Sequence, residues 1–371
     1  MRIGIVIETR SQVYQEFGRG ASAYVGKIEG GLELISVFSH YSRSLIESEL
    51  DGLVIVSRDS FRRIASVNLP VLFVDRRSIP QQRTALNFAD QMIGEIGAEY
   101  FIERGFENLA FCYHDQKQPK RDQRRMDGLK KAIAAAEIGL PEPNCFAVSD
   151  KASLARWILS ISKPLGILCS DDSLAADIIQ ICATEDINVP QTVSVLGVGN
   201  DDLICSLSEP AISSIDVAAD RLGYLAVQTI HEHLLGKRTL GHPMEILPRG
   251  IVERGSTDVF PVSDLFVRGA LRFIHDKIPH AIQVGDICEH LRISRRSLEK
   301  RFKSSLGTTI NAYMQKTKLD EVKRLLRDTD FTLDQICTRV GYQSSRSLCR
   351  AFNSSTSKTP TQYREEFAKL G

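Results

Sequence analysis

Across roughly the first 215 residues, short apolar runs recur at 3–7, 32–38, 53–56, 71–74, 109–112, 166–169 and 193–198. Continuous apolar runs of this length are read as buried parallel strands, because a strand covered on both faces has no polar side. Between them, 91–104, 125–136 and 174–185 space their apolar residues three and four apart, as one face of a helix requires. Strand and helix alternate, which predicts a doubly wound α/β architecture. At Asp264 the pattern changes to helices throughout, beginning with Phe266, Ala270, Phe273 and Ile274 on one face. Pro261-Val262-Ser263-Asp264 supplies the proline and capping residues of a loop-to-helix boundary. The expected domains are therefore 1–260 and 264–371.

The helical part contains an internal repeat. Ile287-Cys288-x-x-Leu291 falls on Ile336-Cys337-x-x-Val340 at an offset of 49, and Ser297-Leu298-x-x-x-Phe302 falls on Ser347-Leu348-x-x-x-Phe352 at an offset of 50. Tyr313 and Tyr363 continue the second offset, so one helical unit is present twice. Each copy has an eight-residue helix, a short turn and a second helix starting after Ser294 or Ser345, the dimensions of a helix-turn-helix motif at about 284–305 and 333–355. Serine is a good N-cap at that point. On the trailing helices Leu298, Phe302, Leu348 and Phe352 face inward. Arg296, Glu299, Lys300 and Lys303 share the other side of the first, with Arg295 beside them; Arg346, Cys349, Arg350 and Asn353 do so on the second, which opens at Ser345.

Composition and charge sharpen this division. With 371 residues the chain exceeds the size of one hydrophobic core, and 43% hydrophobic with 25% charged residues is ordinary globular composition. A net charge of +1 conceals an asymmetry: residues 264–371 carry 20 Lys/Arg against 12 Asp/Glu, and residues 1–263 carry 27 against 34. From charge alone, a polyanion-binding second domain and a solvated basic face are equal readings. The repeat favours the first, since Arg engages guanine edges and Lys reaches bases or phosphates. Eight cysteines without Cys-x-x-Cys spacing argue against a zinc site or redox dithiol, and His231-Glu232-His233 lacks the four-residue spacing that puts two histidines on one helix face, so these read as surface histidines. No cofactor is expected. Met1-Arg2 leads straight into the first apolar run, which is too short for a signal sequence, and no run approaches membrane-spanning length; the expected compartment is the cytoplasm.

In open parallel sheets ligands sit beyond the carboxyl ends of strands. The polar residues there are Glu8-Thr9-Arg10-Ser11, Asp75-Arg76-Arg77, Ser170-Asp171-Asp172 and Gly199-Asn200-Asp201-Asp202. One such loop alone reads as solvated surface; several acidic and amide groups on one edge suit a polyhydroxylated ligand. The residues here resemble the LacI/GalR ligand-binding domain, related to periplasmic sugar-binding proteins. The likeness rests on Val71–Asp75, Leu86-Asn87, Arg125-Met126-Asp127-Gly128-Leu129, Asp171-Asp172-Ser173-Leu174-Ala175, Val189-Pro190-x-x-Val193-Ser194-Val195, 210–215 and Val252-x-Arg254-x-Ser256-Thr257, covering nearly all of 2–257. It implies two α/β lobes joined by three crossovers, with sugar in the cleft. Glu8, Asp75, Arg125, Asp171, Asn200 and Asp201 are the candidate ligand residues. Arg125 has the alternative of a surface helix charge beside Arg124. Where the family usually has an acidic residue this chain has Gly199, and Asp201 is a candidate substitute. LacI relatives also carry an amino-terminal helix-turn-helix, for which the strand starting at Arg2 leaves no room.

The helical part resembles the AraC/XylS DNA-binding domain over about 264–368, through Asp286-Ile287-Cys288-Glu289-His290-Leu291, 294–302, Gly307, Lys318-x-x-x-Val322-x-x-Leu325-Leu326, Ile336-Cys337-x-x-Val340-Gly341-Tyr342 and Thr359-Pro360-x-x-Tyr363-Arg364. The likeness implies two recognition helices entering successive major-groove segments of double-stranded DNA, tied by the helix that carries Leu319, Val322 and Leu326. Arg292-Ile293 and Ser357 depart from the family's glycines at turns. A LacI-like sensor ahead of an AraC-type reader is similar as a whole to the xylose operon regulator family. That likeness implies a homodimeric activator that answers to a sugar, xylose or a related pentose, and acts through RNA polymerase. Two other classes stay open on the residues: a constitutive architectural DNA binder, and a sugar-processing enzyme. The chain has no Gly-x-Ser-x-Gly, His-Glu-x-x-His or P-loop to support the enzyme.

Overall fold

A computed structural model describes residues 1–7, 12–37, 43–56, 67–74, 84–114, 119–136, 139–241, 243–277 and 282–367. The described strands form two six-stranded sheets. The first contains β1 (Arg2–Val6), β2 (Glu33–Ser36), β3 (Gly52–Ile55), β4 (Val71–Val74), β5 (Ala85–Phe88) and β11 (Met244–Ile246), in the order β11-β5-β4-β3-β1-β2. The second contains β6 (Asn108–His114), β7 (Asn144–Val148), β8 (Leu165–Cys169), β9 (Val193–Val198), β10 (Ser213–Asp216) and β12 (Gly250–Val252), in the order β12-β10-β9-β8-β6-β7. Pairing is parallel throughout except between β10 and β12. All seven apolar runs contain a strand. The five further strands had no comparable run: β5 is interrupted by Asn87, β7 is half-buried, β10 reads Ser-Ser-Ile-Asp, and β11 and β12 have three residues each.

The chain passes between the sheets three times: at Ala89 after β5, at Val217-Ala218 after β10, and at Leu247-Pro248-Arg249 between β11 and β12. The structure is therefore two-lobed. In the first lobe, α1 (Gln12–Gly26) and α8 (Ala219–Leu234) pack together, with α8 against β1, β3, β4 and β5, and α2 (Arg43–Glu49) lies in the same half. In the second, α3 (Asp90–Arg104) and α4 (Pro119–Ala135) pack together, with α3 against β8; α5 (Lys151–Ser160) and α6 (Asp172–Thr184) form another pair, with α7 (Asp202–Leu207) against α6. Glycine sets the approach of α3 to α4: a Cβ at Gly94 would lie 1.9 Å from the Arg125 carbonyl oxygen, and one at Gly128 the same distance from that of Gln91. Backbone contact of this closeness brings Arg125 to the start of α3.

Beyond the two lobes the fold is helical: α9 (Leu265–Lys277), α10 (Val284–Leu291), α11 (Arg295–Leu306), α12 (Ile310–Asp328), α13 (Leu333–Val340), α14 (Ser345–Thr356) and α15 (Pro360–Phe367). It has two cores. Val267, Ala270, Leu271, Ile274, Ile287, Leu298 and Phe302 build the first, and Val322, Leu326, Ile336, Val340, Leu348, Phe352 and Tyr363 the second. The 19-residue α12 joins them, burying Ile310, Tyr313 and Met314 in the first and Leu319, Val322, Leu325 and Leu326 in the second. Truncating Phe302 or Phe352, both fully buried, would cost about 3–5 kcal/mol.

Candidate ligand cleft and nucleic-acid interface

The two helix-turn-helix copies are α10 with α11 and α13 with α14. In the first, Ser294 caps α11 by accepting the amide of Ser297 at 3.3 Å, which releases Arg295 and Arg296 into the first turn. In the second the cap is Ser344 and not Ser345: the Ser344 hydroxyl accepts the Ser347 amide at 3.2 Å, while Ser345 begins the helix and its hydroxyl donates to Asp334. The 50-residue offset from Ser294 leads to Ser344, so the local spacing was the better guide than serine identity. Arg295, Arg296, Lys300 and Lys303 are exposed, and Glu299 is half-buried with its carboxylate 2.8 Å from the Arg295 Nε. Arg346 and Arg350 are exposed, and Cys349 and Ser345 are half-buried. Arg296, Glu299, Lys300 and Lys303 line one side of a groove of about 580 Å³ completed by Ser304, Thr309, Ile310 and Asn311. The start of α12, which Thr309 caps, thus stands beside the cationic face of α11. Cationic side chains, hydroxyls and a helix N-terminus are the groups that hold phosphates and read base edges.

At the carboxyl ends of the second lobe's strands, Asp171 and Asp201 both serve as helix N-caps: Asp171 accepts the Leu174 amide at 2.9 Å and Asp201 that of Ile204 at 3.0 Å. The second oxygen of Asp171 lies 3.5 Å from His114 Nε2, at the end of β6. Asn200, in the left-handed region at φ 55°, accepts from Arg254 at 2.9 Å. Arg125 is 3% exposed, so it is not a solvated charge like its neighbour Arg124 at 41%; it donates to Asp90 at 3.1 Å and to the Ser170 carbonyl at 2.7 Å. Gly199 has φ +126°, and a Cβ there would lie 3.2 Å from Asp172 Oδ2. A side chain at 199 would therefore meet Asp172, whose carboxyl accepts from the Ser214 hydroxyl at 2.5 Å and the Asp201 amide at 2.8 Å. Burial, with Asp171 and Asp201 nearby, pushes Asp172 up to about 6. Glu8 and Asp75 lie outside the described residues.

Comparison with known proteins agrees with this two-part geometry. A model of the periplasmic binding protein-like domain matches residues 98–257, and a model of a helix-turn-helix domain, of AraC type, matches 287–366. Both domain models match this one chain, in this order. The xylose operon regulatory proteins of Haemophilus influenzae and Escherichia coli are similar to it: the first is 31% identical over 217 residues, 58% of this chain and 56% of that protein, and the second 33% over 215, 57% and 54%. The chain thus spans a little over half the length of these curated relatives in the matched region. Among solved structures, a xylose-binding transcription activator shares the fold over 99% of this chain and 98% of its own, with a TM-score of 0.60 at 23% identity. A LacI family regulator from Enterococcus faecium with bound ribose shares it over 69% of this chain and 98% of its own, at 0.56 and 18%. These similar proteins are regulators and not enzymes.

Two further buried polar groups stand at or just beyond strand ends, and one of them, Ser170, belongs to the loops already named. Asn87, on β5, and Ser170, after β8, are both buried, and Asn87 Oδ1 and Ser170 Oγ have no hydrogen-bond partner among the described residues. Buried acceptors and hydroxyls left in this state are the groups a hydroxyl-rich ligand satisfies. Their position at strand ends was readable; their burial was not. His114 was missed because it closes a strand instead of following one. His231, read as surface, is buried instead: its Nδ1 lies 2.9 Å from the Tyr24 hydroxyl, and His233 Nδ1 lies 3.0 Å from the Arg238 carbonyl. No group of three His, Cys, Asp or Glu among the described residues is placed to hold a metal, and no described helix is long and apolar enough to cross a membrane.

Proposed function

We propose that this protein is a pentose-responsive, DNA-binding transcription regulator, with residues 1–260 as sensor and 264–371 as reader. The observation that carries the reading is the pairing of a two-lobed cleft with two capped recognition helices whose exposed faces are cationic. Sequence-specific contacts fall to Arg296, Glu299 and Lys300 on α11 and to Arg346, Cys349 and Arg350 on α14, with Arg295, Lys303 and Ser345 positioning the backbone. Two motifs in one chain, held by α12, suit successive major-groove segments. Arg125, Asp171, Asn200 and Asp201 are assigned to the ligand together with Glu8 and Asp75. Carboxylates and a buried guanidinium pair with neighbouring sugar hydroxyls, as a polyol requires.

Xylose is the preferred ligand, supported by the names of the similar relatives, and activation is the preferred sign, supported by the similar solved activator. The regulator acts as a homodimer with RNA polymerase in the cytoplasm, where its DNA lies. Two measurements test the reading: calorimetry of the full chain against a panel of pentoses, and selection of bound duplexes from a random pool. Saturable heat with xylose and recovery of a repeated half-site are expected. Absence of heat with every pentose would favour an architectural DNA binder.

A further inference from the structure

The two reader motifs are fastened to different parts of the sensor. The first is held by the second lobe. Gly105, which ends α3 at φ +88°, lies against the reader side: a Cβ there would be 2.4 Å from the Val262 side chain, which would have to shift, and in ordinary contact, 3.6 Å, with Leu306. Lys316 of α12 pairs with Glu103 and lies 3.7 Å from Glu99, both on α3. The second motif is held by the hinge instead. Arg249 lies in the third crossover, 5% exposed, with its guanidinium 2.7 and 2.8 Å from the two carboxylate oxygens of Asp220 and 3.5 Å from Asp216. Asp216 precedes the second crossover and Asp220 opens α8, so one side chain gathers two of the three inter-lobe strands.

The same guanidinium reaches into the reader. The Arg249 Nε donates to the Phe367 carbonyl at 2.6 Å, and the Arg249 backbone carbonyl accepts from the Arg327 guanidinium of α12 at 2.9 Å. Leu247, two residues earlier in the crossover, packs on the second reader core, and Arg221 of α8 donates to the Glu365 carbonyl at 3.2 Å. We propose that Arg249 is a positioning residue that couples the inter-lobe hinge to the second helix-turn-helix motif, so that cleft closure changes the placement of α14 relative to α11 within one chain. The physical ground is differential anchoring. Rotation of the lobes changes the backbone at 217–218 and 247–249, and a group bonded there moves with the hinge while α11 stays with the second lobe. Both ties are buried and charge-assisted, so they transmit displacement without slack.

This coupling rests on the sugar-sensor reading, and its test separates the two. Affinity for a selected duplex is measured with and without saturating xylose on the wild type, Arg249→Met and Arg327→Met, alongside xylose affinity by calorimetry. Both variants are expected to hold xylose within about threefold of wild type, while the xylose-induced change in DNA affinity falls from about tenfold to under about twofold. An undiminished change in variants that bind both ligands overturns the coupling. Arg249→Met leaves two buried carboxylates without their cation; where it fails to fold, Arg327→Met decides, since it leaves that cluster intact. A wild type that binds no pentose defeats the sensor reading, and the coupling is then read by hydrogen exchange. The duplex alone is expected to alter exchange of the amides at 216–220 and of Arg249 in the wild type, by reciprocity, and much less in Arg327→Met. Unaltered exchange in the wild type overturns it.

Discussion

Arg292 and Gly341 occupy the same left-handed backbone position in the two helix-turn-helix copies, at φ 52° and 74°, each ending the first helix of its motif. The second helices repeat the relationship with the roles exchanged, at Gly307 with φ 68° and Ser357 with φ 57°. The turns that depart from the family's glycines therefore keep the glycine geometry, at the cost of a Cβ crowded against its own carbonyl. Arg292→Gly is expected to raise stability by up to about 1 kcal/mol, and Gly341→Ala to lower it by about 1–2 kcal/mol. Urea denaturation of the full chain reads both.

Arg296 and Arg350 are exposed on successive recognition helices. Arg296→Ala or Arg350→Ala is expected to weaken binding to the selected duplex by about 1–3 kcal/mol and to relax the preference at one base position. Competition binding against singly substituted duplexes checks it. Unchanged affinity for both variants would remove these faces from the groove.

His275 gives a pH signature at the junction of sensor and reader. Its Nε2 lies 2.9 Å from the Tyr313 hydroxyl and its ring rests on Phe260; burial, together with the Arg104 charge, lowers its pKa from 6.5 to about 3. Between those values the unfolded chain takes up a proton that the native state refuses. The contribution of His275 is therefore complete above pH 6.5 and is lost as pH falls, by at most about 1.4 kcal/mol per unit. Asp172 works in the opposite direction, because its raised pKa favours the native state as pH drops from about 6 towards 3.8. Comparing wild type with His275→Gln cancels Asp172. The stability difference between the two is expected to shift in favour of the variant between pH 6.5 and 4.5.

Arg125 and Arg124 are adjacent, yet only Arg125 is buried at the cleft. Arg125→Lys keeps the charge and loses the planar fork, and is expected to weaken xylose binding by about tenfold or more. Arg124→Ala is expected to leave it within about twofold, since a surface charge at 41% exposure contributes little. Calorimetry on the two variants distinguishes them.

Much of this organisation was legible because periodicity and repetition are local properties. Leu298, Phe302, Leu348 and Phe352 stand four apart twice over, and all four prove fully buried. Residues whose role depends on distant partners were not legible. Arg249 lies in a three-residue link with no periodicity, and its partners Asp216, Asp220, Arg327 and Phe367 come from elsewhere in the chain. His231 looked like one of a pair of surface histidines until Tyr24 was placed beside it. Asn87 and Ser170 carry no signal beyond their position at strand ends, because an unsatisfied buried acceptor exists only once the surrounding chain has excluded water.

That one chain joins ligand to DNA is tested directly by fluorescence anisotropy of the selected duplex titrated with full-length protein, with and without saturating xylose. An affinity change of about fivefold or more is expected, corresponding to a coupling of about 1 kcal/mol or more between the two sites. Superimposable titrations from a protein that binds both xylose and the duplex would contradict it.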